Sequence, residues 1–199
     1  MSIEPKSTRL RLCSNELPLE QRDDDELMLL TGAGLQTAFE ELLRRHHRAV
    51  RRYCVRVCRE ATVAEDVAQE VFVTLWRSRQ SYEPKGRFRS YLFAIAMSRC
   101  RNELRRHRSK SFTSDEIGQL ATNPLALDAL VAAERSQRLY VLVSRLPEAQ
   151  REAITLRFSA GLEYGEIAEV VNRPEPTVRS RVFFGLNHLR KLMGKRGEP

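Results

Sequence analysis

One stretch of the chain carries four side chains of the types that bind transition metals: His46, His47, Cys54 and Cys58. Imidazole and thiolate are zinc ligands, but no CxxC or HxxxH pair completes a four-ligand set. The alternative is that the two thiols are small buried side chains of a helix. Because the four cysteines show no disulfide-framework spacing, we interpret them as reduced. We predict no metal and no other cofactor, and keep a small metal-dependent enzyme as a rival.

The charge distribution indicates a different chemistry. The 199 residues hold 34 Lys+Arg and 26 Asp+Glu, a formal net charge of +8. Residues 36–110 alone hold 18 basic and 8 acidic residues, a net +10, which exceeds the charge of the whole chain. A polyanion-binding surface requires such an asymmetry. No nucleophile–base arrangement or phosphate-binding glycine loop occurs, so we predict a protein that is not an enzyme and has no small-molecule substrate.

Cations and aromatic residues alternate inside this segment. Residues 77–90 contain Pro84 and Gly86 and are predicted to form a loop. The loop carries Tyr82 and Phe88 together with five cations, three of them in the stretch 85–89. A helix predicted over residues 91–106 follows it, with arginines on its polar face. This combination is typical of surfaces that bind a nucleic-acid backbone and stack unpaired bases.

The helix predicted before this loop has an acidic face. A capping box at residues 62–65 starts it, and it runs to about Trp76. Its buried stripe is Val67, Ala68, Val71, Phe72 and Leu75. Its outward face holds Asp66, Gln69, Glu70 and Val73. This face is either an ordinary solvated surface or a docking patch for a basic, partly apolar protein.

The C-terminal third has the layout of a helix-turn-helix. A short helix over residues 164–171, a turn and a helix from Pro176 are predicted. One face of the second helix is apolar and faces inward, comprising Val178, Val182, Gly185 and Leu189. The opposite face can enter a DNA major groove, and comprises Arg179, Ser180, Phe183, Phe184 and Asn187.

Helices are predicted almost throughout the rest of the chain. Asp24 or Asp25 can cap a first helix that ends at Leu30. One face of a second helix is formed by Phe39, Leu43, His46, Val50, Tyr53 and Val57. Helices are also predicted over residues 124–145 and 147–158, after a Ser/Thr-rich linker. The longest apolar run, residues 91–97, is too short to span a membrane, and no secretory signal is present, so we expect a cytoplasmic protein.

Several blocks resemble one family in the expected order. They are DDDELMLL, TAFEELLRRH, AEDVAQEVFVTLWR, GRFRSYLFAIAMSRCRNELRR and LPEAQREAITLRFSAGLEYGEIAEVVNRPEPTVRSRV. Over residues 23–193 the chain resembles bacterial sigma-70 factors, and within them the extracytoplasmic-function (ECF) class, which keeps conserved regions 2 and 4. The resemblance implies a subunit that binds core RNA polymerase, directs it to promoter DNA and assists melting. It also implies a cognate anti-sigma protein.

The expected fold is all-α, with two small helical domains. Residues 1–22 form an arm, 23–110 a region 2 domain, 111–123 a flexible linker, 124–193 a region 4 helix-turn-helix domain, and 194–199 a tail. By resemblance, core polymerase binds Asp66, Gln69, Glu70 and Val73. The melted minus-ten element binds Arg87, Phe88, Arg89, Tyr91, Asn102, Arg105 and Arg106. The minus-thirty-five element binds Thr177, Arg179, Ser180, Arg181 and Phe183.

Four residues depart from the family pattern. Pro176 replaces a glycine, and Glu163 stands where a serine or threonine cap is usual. Phe184 and Leu186 occupy positions that are commonly basic, which puts upstream-element binding in doubt and allows a partner surface instead. Independently of these departures, a stand-alone regulator that uses only the helix-turn-helix, with the first domain as its sensor or dimeriser, is kept as the alternative function.

Overall fold

A computed structural model of the chain describes residues 17–110 and 138–194, which form helices and turns without a strand. The helices are α1 (Asp24–Gly32), α2 (Gln36–Cys58), α3 (Ala61–Arg77), α4 (Phe88–Lys110), α5 (Glu148–Thr155), α6 (Tyr164–Val170) and α7 (Glu175–Gly194). A 3-10 turn, Leu19–Gln21, precedes α1, and a π-helical turn, Leu156–Ala160, continues α5. Residues 138–144 are also helical. The predicted all-α fold is confirmed.

Helices α1–α4 form an N-terminal bundle. The stripe predicted for α3 is buried as expected, from Val67 to Leu75. On α2 the buried face is broader than predicted, and it includes Leu42 and Cys54, whereas Phe39 is only partly buried. The reason is that α2 packs against α3 and α4 and also against the C-terminal part of the chain. Periodicity alone shows the centre of a buried face but not its width.

Both predicted N-caps of this bundle are wrong. The cap of α1 is Asp23, whose Oδ1 accepts the N–H of Glu26 at 2.7 Å. Helix α3 begins at Ala61 after Glu60, without a side-chain cap. The predicted capping box does not form, because Thr62 donates to Glu60 at 2.8 Å and Glu65 binds an arginine of α2.

Helix α4 begins three residues earlier than predicted. Its first residue, Phe88, is 2% exposed and lies against His46, with ring centroids 5.3 Å apart. The prediction of a loop through residue 90 is therefore wrong, and the loop shortens to residues 78–87. Burial of the Phe88 ring explains the early start, since it fixes the first helical turn against the core.

The C-terminal bundle comprises residues 138–194. Helices α6 and α7 form the predicted helix-turn-helix, and Val178, Val182, Gly185 and Leu189 are buried as expected. Glu163 does cap α6, in a capping box with Glu166. Helix α7 crosses α5 closely, because a Cβ built on Gly185 would lie 2.5 Å from Ile154 Cδ1.

The two bundles pack directly against each other. Leu156, Leu162, Ile167 and Val178 of the C-terminal bundle belong to the same cluster of buried side chains as the core of α1–α4. A smaller cluster around Leu189 is internal to the C-terminal bundle. The sequence predicts two domains on a linker, and gives no indication of this contact.

Some predicted segments lie outside the described residues: 1–16 of the arm, the linker 111–123, the start of the helix predicted at 124, and 195–199 of the tail. Residues 17–22 of the predicted arm are structured, because Arg45 donates to the carbonyl oxygens of Leu19, Glu20 and Arg22 at 2.8–3.1 Å. Across residues 17–110 and 138–194, no helix combines the length and apolar character needed to cross a membrane.

Candidate functional site

The acidic face of α3 lies at the surface. Asp66, Gln69, Glu70 and Val73 are exposed, and Val73 is 47% exposed although it is aliphatic. They line a shallow groove of about 530 Å³ with Thr74, Arg77 and Arg99. Arg99 approaches Glu70 to 4.0 Å. The groove therefore offers two carboxylates beside an exposed valine, which suits a partner surface that is basic and partly apolar.

The seven residues predicted for the minus-ten element lie on α4 or directly before it. Arg87 immediately precedes α4, and the other six lie on it. Asn102, Arg105 and Arg106 are exposed on one face. At 1.5 Å per residue, Tyr91 and Arg105 are about 21 Å apart along the axis. The set thus forms two patches, one at the start of α4 and one three to four turns further on.

One member of this set does not reach the surface. Phe88 is packed in the core, and its ring lies 6.1 Å from that of Tyr82. The expectation that Phe88 is an exposed loop aromatic is wrong, since a ring that is 2% exposed offers no face to a base. Tyr82 and Tyr91 are only partly buried, and their ring centroids are 5.2 Å apart. These two tyrosines are the aromatic pair that a base can approach.

A pocket of about 350 Å³ opens beside the tyrosine pair. Its lining comprises Ser81, Tyr82, Glu83, Lys85, Arg87, Ser90, Tyr91, Ala94 and Glu169. Ser90 lies in the pocket wall, and its hydroxyl oxygen is buried beneath the surface without a hydrogen-bond partner among the described residues. Such an orphan is costly unless a ligand or water pairs with it. The lining combines two tyrosines with two cations, and each cation is paired with a carboxylate of the same pocket: Lys85 with Glu83 at 2.8 Å and Arg87 with Glu169 at 3.0 Å. An anion that enters the pocket has to displace these carboxylates.

Asp25 fixes the loop that forms this pocket, and sequence reasoning missed this role. Its Oδ1 accepts from the Tyr82 hydroxyl at 2.6 Å and from the Lys85 N–H at 3.1 Å. Burial and the neighbouring Asp25 carboxylate raise the pKa of Tyr82. The Tyr91 hydroxyl donates to Ser78 Oγ at 2.7 Å, at the other end of the loop. Asp25 lies 57 residues before Tyr82, so no local pattern indicates the contact.

Two carboxylates of α6 form salt bridges with the two arginines at the start of α4. Arg87 Nε lies 3.0 Å from Glu169 Oε1, and Arg89 Nη1 lies 3.1 Å from Glu166 Oε2. Arg89 Nη2 also donates to the carbonyl oxygen of Gly161 at 2.7 Å. Sequence reasoning also missed these pairs, which join the two bundles.

The recognition-helix residues are accessible on α7. Arg179, Ser180 and Phe183 are exposed, while Thr177 and Arg181 are partly buried. The Arg179 guanidinium lies 4.6 Å from the Tyr164 ring centroid, and its Nε donates to Glu175 at 2.9 Å. Phe183 and Phe184 are 59% and 56% exposed and contact each other edge to face. The helix therefore presents a pre-positioned cation next to an exposed aromatic pair.

The residues considered for a metal site have other partners. His46 Nε2 lies 2.7 Å from Asp24 Oδ2, and His47 lies 3.7 Å from Glu65. Cys54 and Cys58 are free and buried. In the described part of the chain, no group of three or more His, Cys, Asp or Glu side chains is arranged to hold a metal ion.

Two family models match the chain. Sigma-70 region 2 matches residues 42–110, and Sigma-70, region 4 matches residues 136–189. The chain is 30% identical over 176 residues to the RNA polymerase sigma-H factor of Pseudomonas aeruginosa, an alignment that covers 83% of this chain and 91% of that protein. It is 27% identical over 182 residues to the ECF RNA polymerase sigma factor SigK of Mycobacterium sp. (strain KMS), covering 89% of this chain and 94% of that protein.

Solved structures show the same fold. CnrH in complex with the cytosolic domain of CnrY matches with a TM-score of 0.71 and 23% identity, covering 87% of this chain and 99% of that one. The sigma factor RpoE in complex with the anti-sigma factor NepR, from Bartonella quintana, matches with a TM-score of 0.66 and 25% identity. This match covers 80% of this chain and 98% of the RpoE chain.

Proposed function

The chain belongs to the sigma-70 family, in its ECF class, and directs RNA polymerase to promoters; on that premise, we propose which of its residues carry each step. The proposal divides the chain into a region 2 domain over residues 23–110 and a region 4 domain over residues 124–193. Sigma factors are initiation factors without enzymatic activity. We infer that this chain likewise contributes binding alone, and that it acts in the cytoplasm, where the polymerase works.

We infer that core polymerase docks on the α3 groove. The support is the pairing of exposed Asp66 and Glu70 with an exposed Val73, inside the most basic segment of the chain. Apolar burial at the centre with charge around it is the usual composition of a protein interface. The alternative of a merely solvated face does not account for the valine at the centre of the groove.

We propose that the first patch of α4 captures the melted minus-ten strand. Arg87, Arg89 and Lys85 would neutralise the phosphates once their carboxylate partners are displaced, and a base would enter the pocket beside Tyr82 and Tyr91. Base stacking on an aromatic side chain contributes roughly 1–3 kcal/mol per base, which offsets part of the melting cost. The pocket beside the partly exposed tyrosine pair is the observation that carries this assignment.

We propose that the second patch, Asn102, Arg105 and Arg106, binds the upstream edge of the same element. On α7, Arg179 and Ser180 would contact base edges of the minus-thirty-five element, and Thr177, Arg181 and Phe183 would support them from the same helix. Tyr164 and Glu175 hold the Arg179 guanidinium in place. A rigidly held guanidinium loses less entropy when it binds a base, so this pair favours specificity.

We also infer a cognate anti-sigma partner. The support is that RpoE, whose structure this chain resembles, was solved in complex with an anti-sigma factor. The exposed Phe183 and Phe184 pair is an apolar surface on the region 4 domain that such a partner could cover.

The experiment that tests the promoter assignment is selection from a duplex DNA pool with a randomised window. Bacterial core polymerase carrying this chain should enrich two separated motifs, whereas the chain alone should enrich neither strongly. Equal enrichment of one motif by the chain without polymerase would support the stand-alone regulator instead.

A further inference from the structure

Three thiols of region 2 meet at one point between α2 and α4. Cys54 and Cys58 lie four residues apart and therefore on one face of α2, and Cys100 lies on α4. The Cys100 thiol donates to Cys54 Sγ at 3.8 Å, and Cys58 also forms a hydrogen bond with Cys100. All three thiols are free in the structure. None of them belongs to the residues proposed for polymerase or promoter binding, so that function leaves this thiol cluster unexplained.

The members of the thiol cluster differ in access and in acidity. Cys54 and Cys100 are completely buried, whereas Cys58 is 9% exposed and is the last residue of α2. The end of a helix opens locally at a lower free-energy cost than its interior. A hydrogen bond with Cys100 lowers the pKa of Cys58, whereas hydrogen bonds with Cys54 and Cys58, together with burial, raise the pKa of Cys100. Cys58 is therefore the thiol that forms a thiolate and that a small solute can reach.

The arrangement is that of a nucleophilic thiol beside a resolving thiol. Cysteines that react with peroxides are accessible, form a thiolate readily and lie next to a second cysteine. A disulfide joins two sulfur atoms about 2.05 Å apart. The distance of 3.8 Å from Cys54 Sγ to Cys100 Sγ shows that α2 and α4 already hold thiols within about 2 Å of that spacing. Rotation of a cysteine side chain moves its sulfur far enough to close such a gap.

We propose that Cys58 and Cys100 form a site of reversible oxidation, whose oxidant is hydrogen peroxide and whose product is a disulfide that ties α2 to α4. The Cys58 thiolate attacks one peroxide oxygen, the O–O bond breaks, and the departing hydroxide takes up a proton to give water. Cys58 is then a sulfenic acid. The Cys100 sulfur attacks the Cys58 sulfur, the S–S bond forms as the S–O bond breaks, and the oxygen leaves with the Cys100 proton as a second water. Two thiols lose two electrons in all, and one peroxide is reduced to two waters.

The disulfide encloses the parts of region 2 that the proposed function uses. Residues 59–99 contain all of α3 and the loop over residues 78–87. A disulfide that closes a loop of about 40 residues restricts the unfolded chain and thereby stabilises the folded domain. We expect oxidation to raise the midpoint of thermal unfolding by about 5–15 °C, and a thiol reductant to reverse the rise. An oxidised chain that melts no higher than the reduced chain would overturn the tie between α2 and α4.

The first test identifies the linked cysteines in the full chain. Cleavage after arginine places the three thiols on separate peptides, residues 53–56, 57–59 and 100–101. The reduced chain is treated with hydrogen peroxide, the remaining thiols are blocked with N-ethylmaleimide at acidic pH, and the tryptic digest is weighed without reduction. We expect residues 57–59 joined to residues 100–101 as the main product. A chain that stays reduced, or one in which Cys54 or Cys13 is linked instead, would overturn the proposal.

The second test assigns a role to each thiol with serine variants that are shown to be folded by circular dichroism. Cys58→Ser should form a disulfide at least tenfold more slowly than the wild type, because Cys54 is near Cys100 but is not accessible. Cys100→Ser should form none and should leave a sulfenic acid that reacts with dimedone. Cys54→Ser is the matched control and should react like the wild type. A folded Cys58→Ser that reacts at the wild-type rate, or a folded Cys54→Ser that forms no disulfide, would refute the assignment, and the wild-type digest tests it without any variant.

Discussion

Asp25 should control promoter opening without contacting DNA. Its Oδ1 is the acceptor for both the Tyr82 hydroxyl and the Lys85 N–H, and these bonds fix the loop over residues 78–87 against α1. Hydrogen bonds to a charged group contribute about 1.5–3 kcal/mol each. Because Tyr82 is only partly buried and can rebind water, we take about 2 kcal/mol as the total loss in Asp25→Ala. That loss lowers the population of the ordered loop roughly 30-fold.

The matched variants are Asp25→Asn and Asp23→Asn. Each variant removes one negative charge from the start of α1. Asp23 caps the helix, and asparagine caps a helix as well as aspartate does, so Asp23→Asn should leave the structure unchanged. Only Asp25→Asn should affect the loop. We expect Asp25→Ala to lower the melting temperature by about 4–8 °C. Asp25→Asn should have a smaller effect because its amide oxygen still accepts one bond, and Asp23→Asn should resemble the wild type.

The assay is the rate of promoter opening by reconstituted holoenzyme, followed with a fluorescent base in the minus-ten element. Opening by the Asp25→Ala holoenzyme should be at least tenfold slower at saturating polymerase, with unchanged affinity for core polymerase. If the variant opened the promoter at the wild-type rate, the hydrogen bonds from Asp25 to the loop over residues 78–87 would not be needed for strand capture. If it lost polymerase affinity to the same extent, Asp25 would act on the whole domain and not on the loop.

Three further changes have defined outcomes. Gly185→Ala should destabilise the chain by about 1–2 kcal/mol in denaturant unfolding, because its Cβ would overlap Ile154 Cδ1, and adding Ile154→Val should recover part of the loss. Hydrogen bonds from Arg44 and Arg45 lower the pKa of Glu41 from 4.5 to about 2. The ionised Glu41 carboxylate therefore contributes its full stabilisation of the folded state above pH 4.5, and this contribution is lost as the pH falls towards 2. Glu41→Gln should therefore lower stability at neutral pH and flatten the acid unfolding curve between those values; an unchanged curve would contradict the assignment. Arg179→Ala should weaken holoenzyme binding to the selected promoter about 5- to 140-fold and leave the affinity of the chain for core polymerase unchanged. If binding to a promoter with a scrambled upstream element weakened by the same factor, Arg179 would not contact a base.

The sequence predicts the elements whose information is local. The buried stripe of α3 and the inward face of α7 follow from helical spacing, and both are confirmed. The exposed position of Val73 follows from the same spacing. In each stripe, successive side chains lie within four residues of one another, so the periodicity of the sequence is sufficient to predict which face is buried.

The errors concern choices between competing partners. Three consecutive aspartates could each cap α1, and Asp23 does so because Asp24 and Asp25 are engaged by His46 and Tyr82, far along the chain. Phe88 follows Gly86 and two cations, which indicates a loop, but burial of its ring extends the helix. The carboxylates that cover Arg87 and Arg89 come from 77 or more residues away, and spacing rules do not reach that far.

The most direct test of sigma-factor action through the α3 groove is co-migration of the purified full chain with bacterial core RNA polymerase on size-exclusion chromatography. We predict a stable complex for the wild type and for the control Glu40→Lys, whose side chain lies outside the groove. The complex should be lost or strongly weakened in Asp66→Lys and in Glu70→Lys. Undiminished co-migration of the two groove variants, with both shown to be folded, would contradict the docking assignment. No complex with the folded wild type would contradict action through the polymerase altogether.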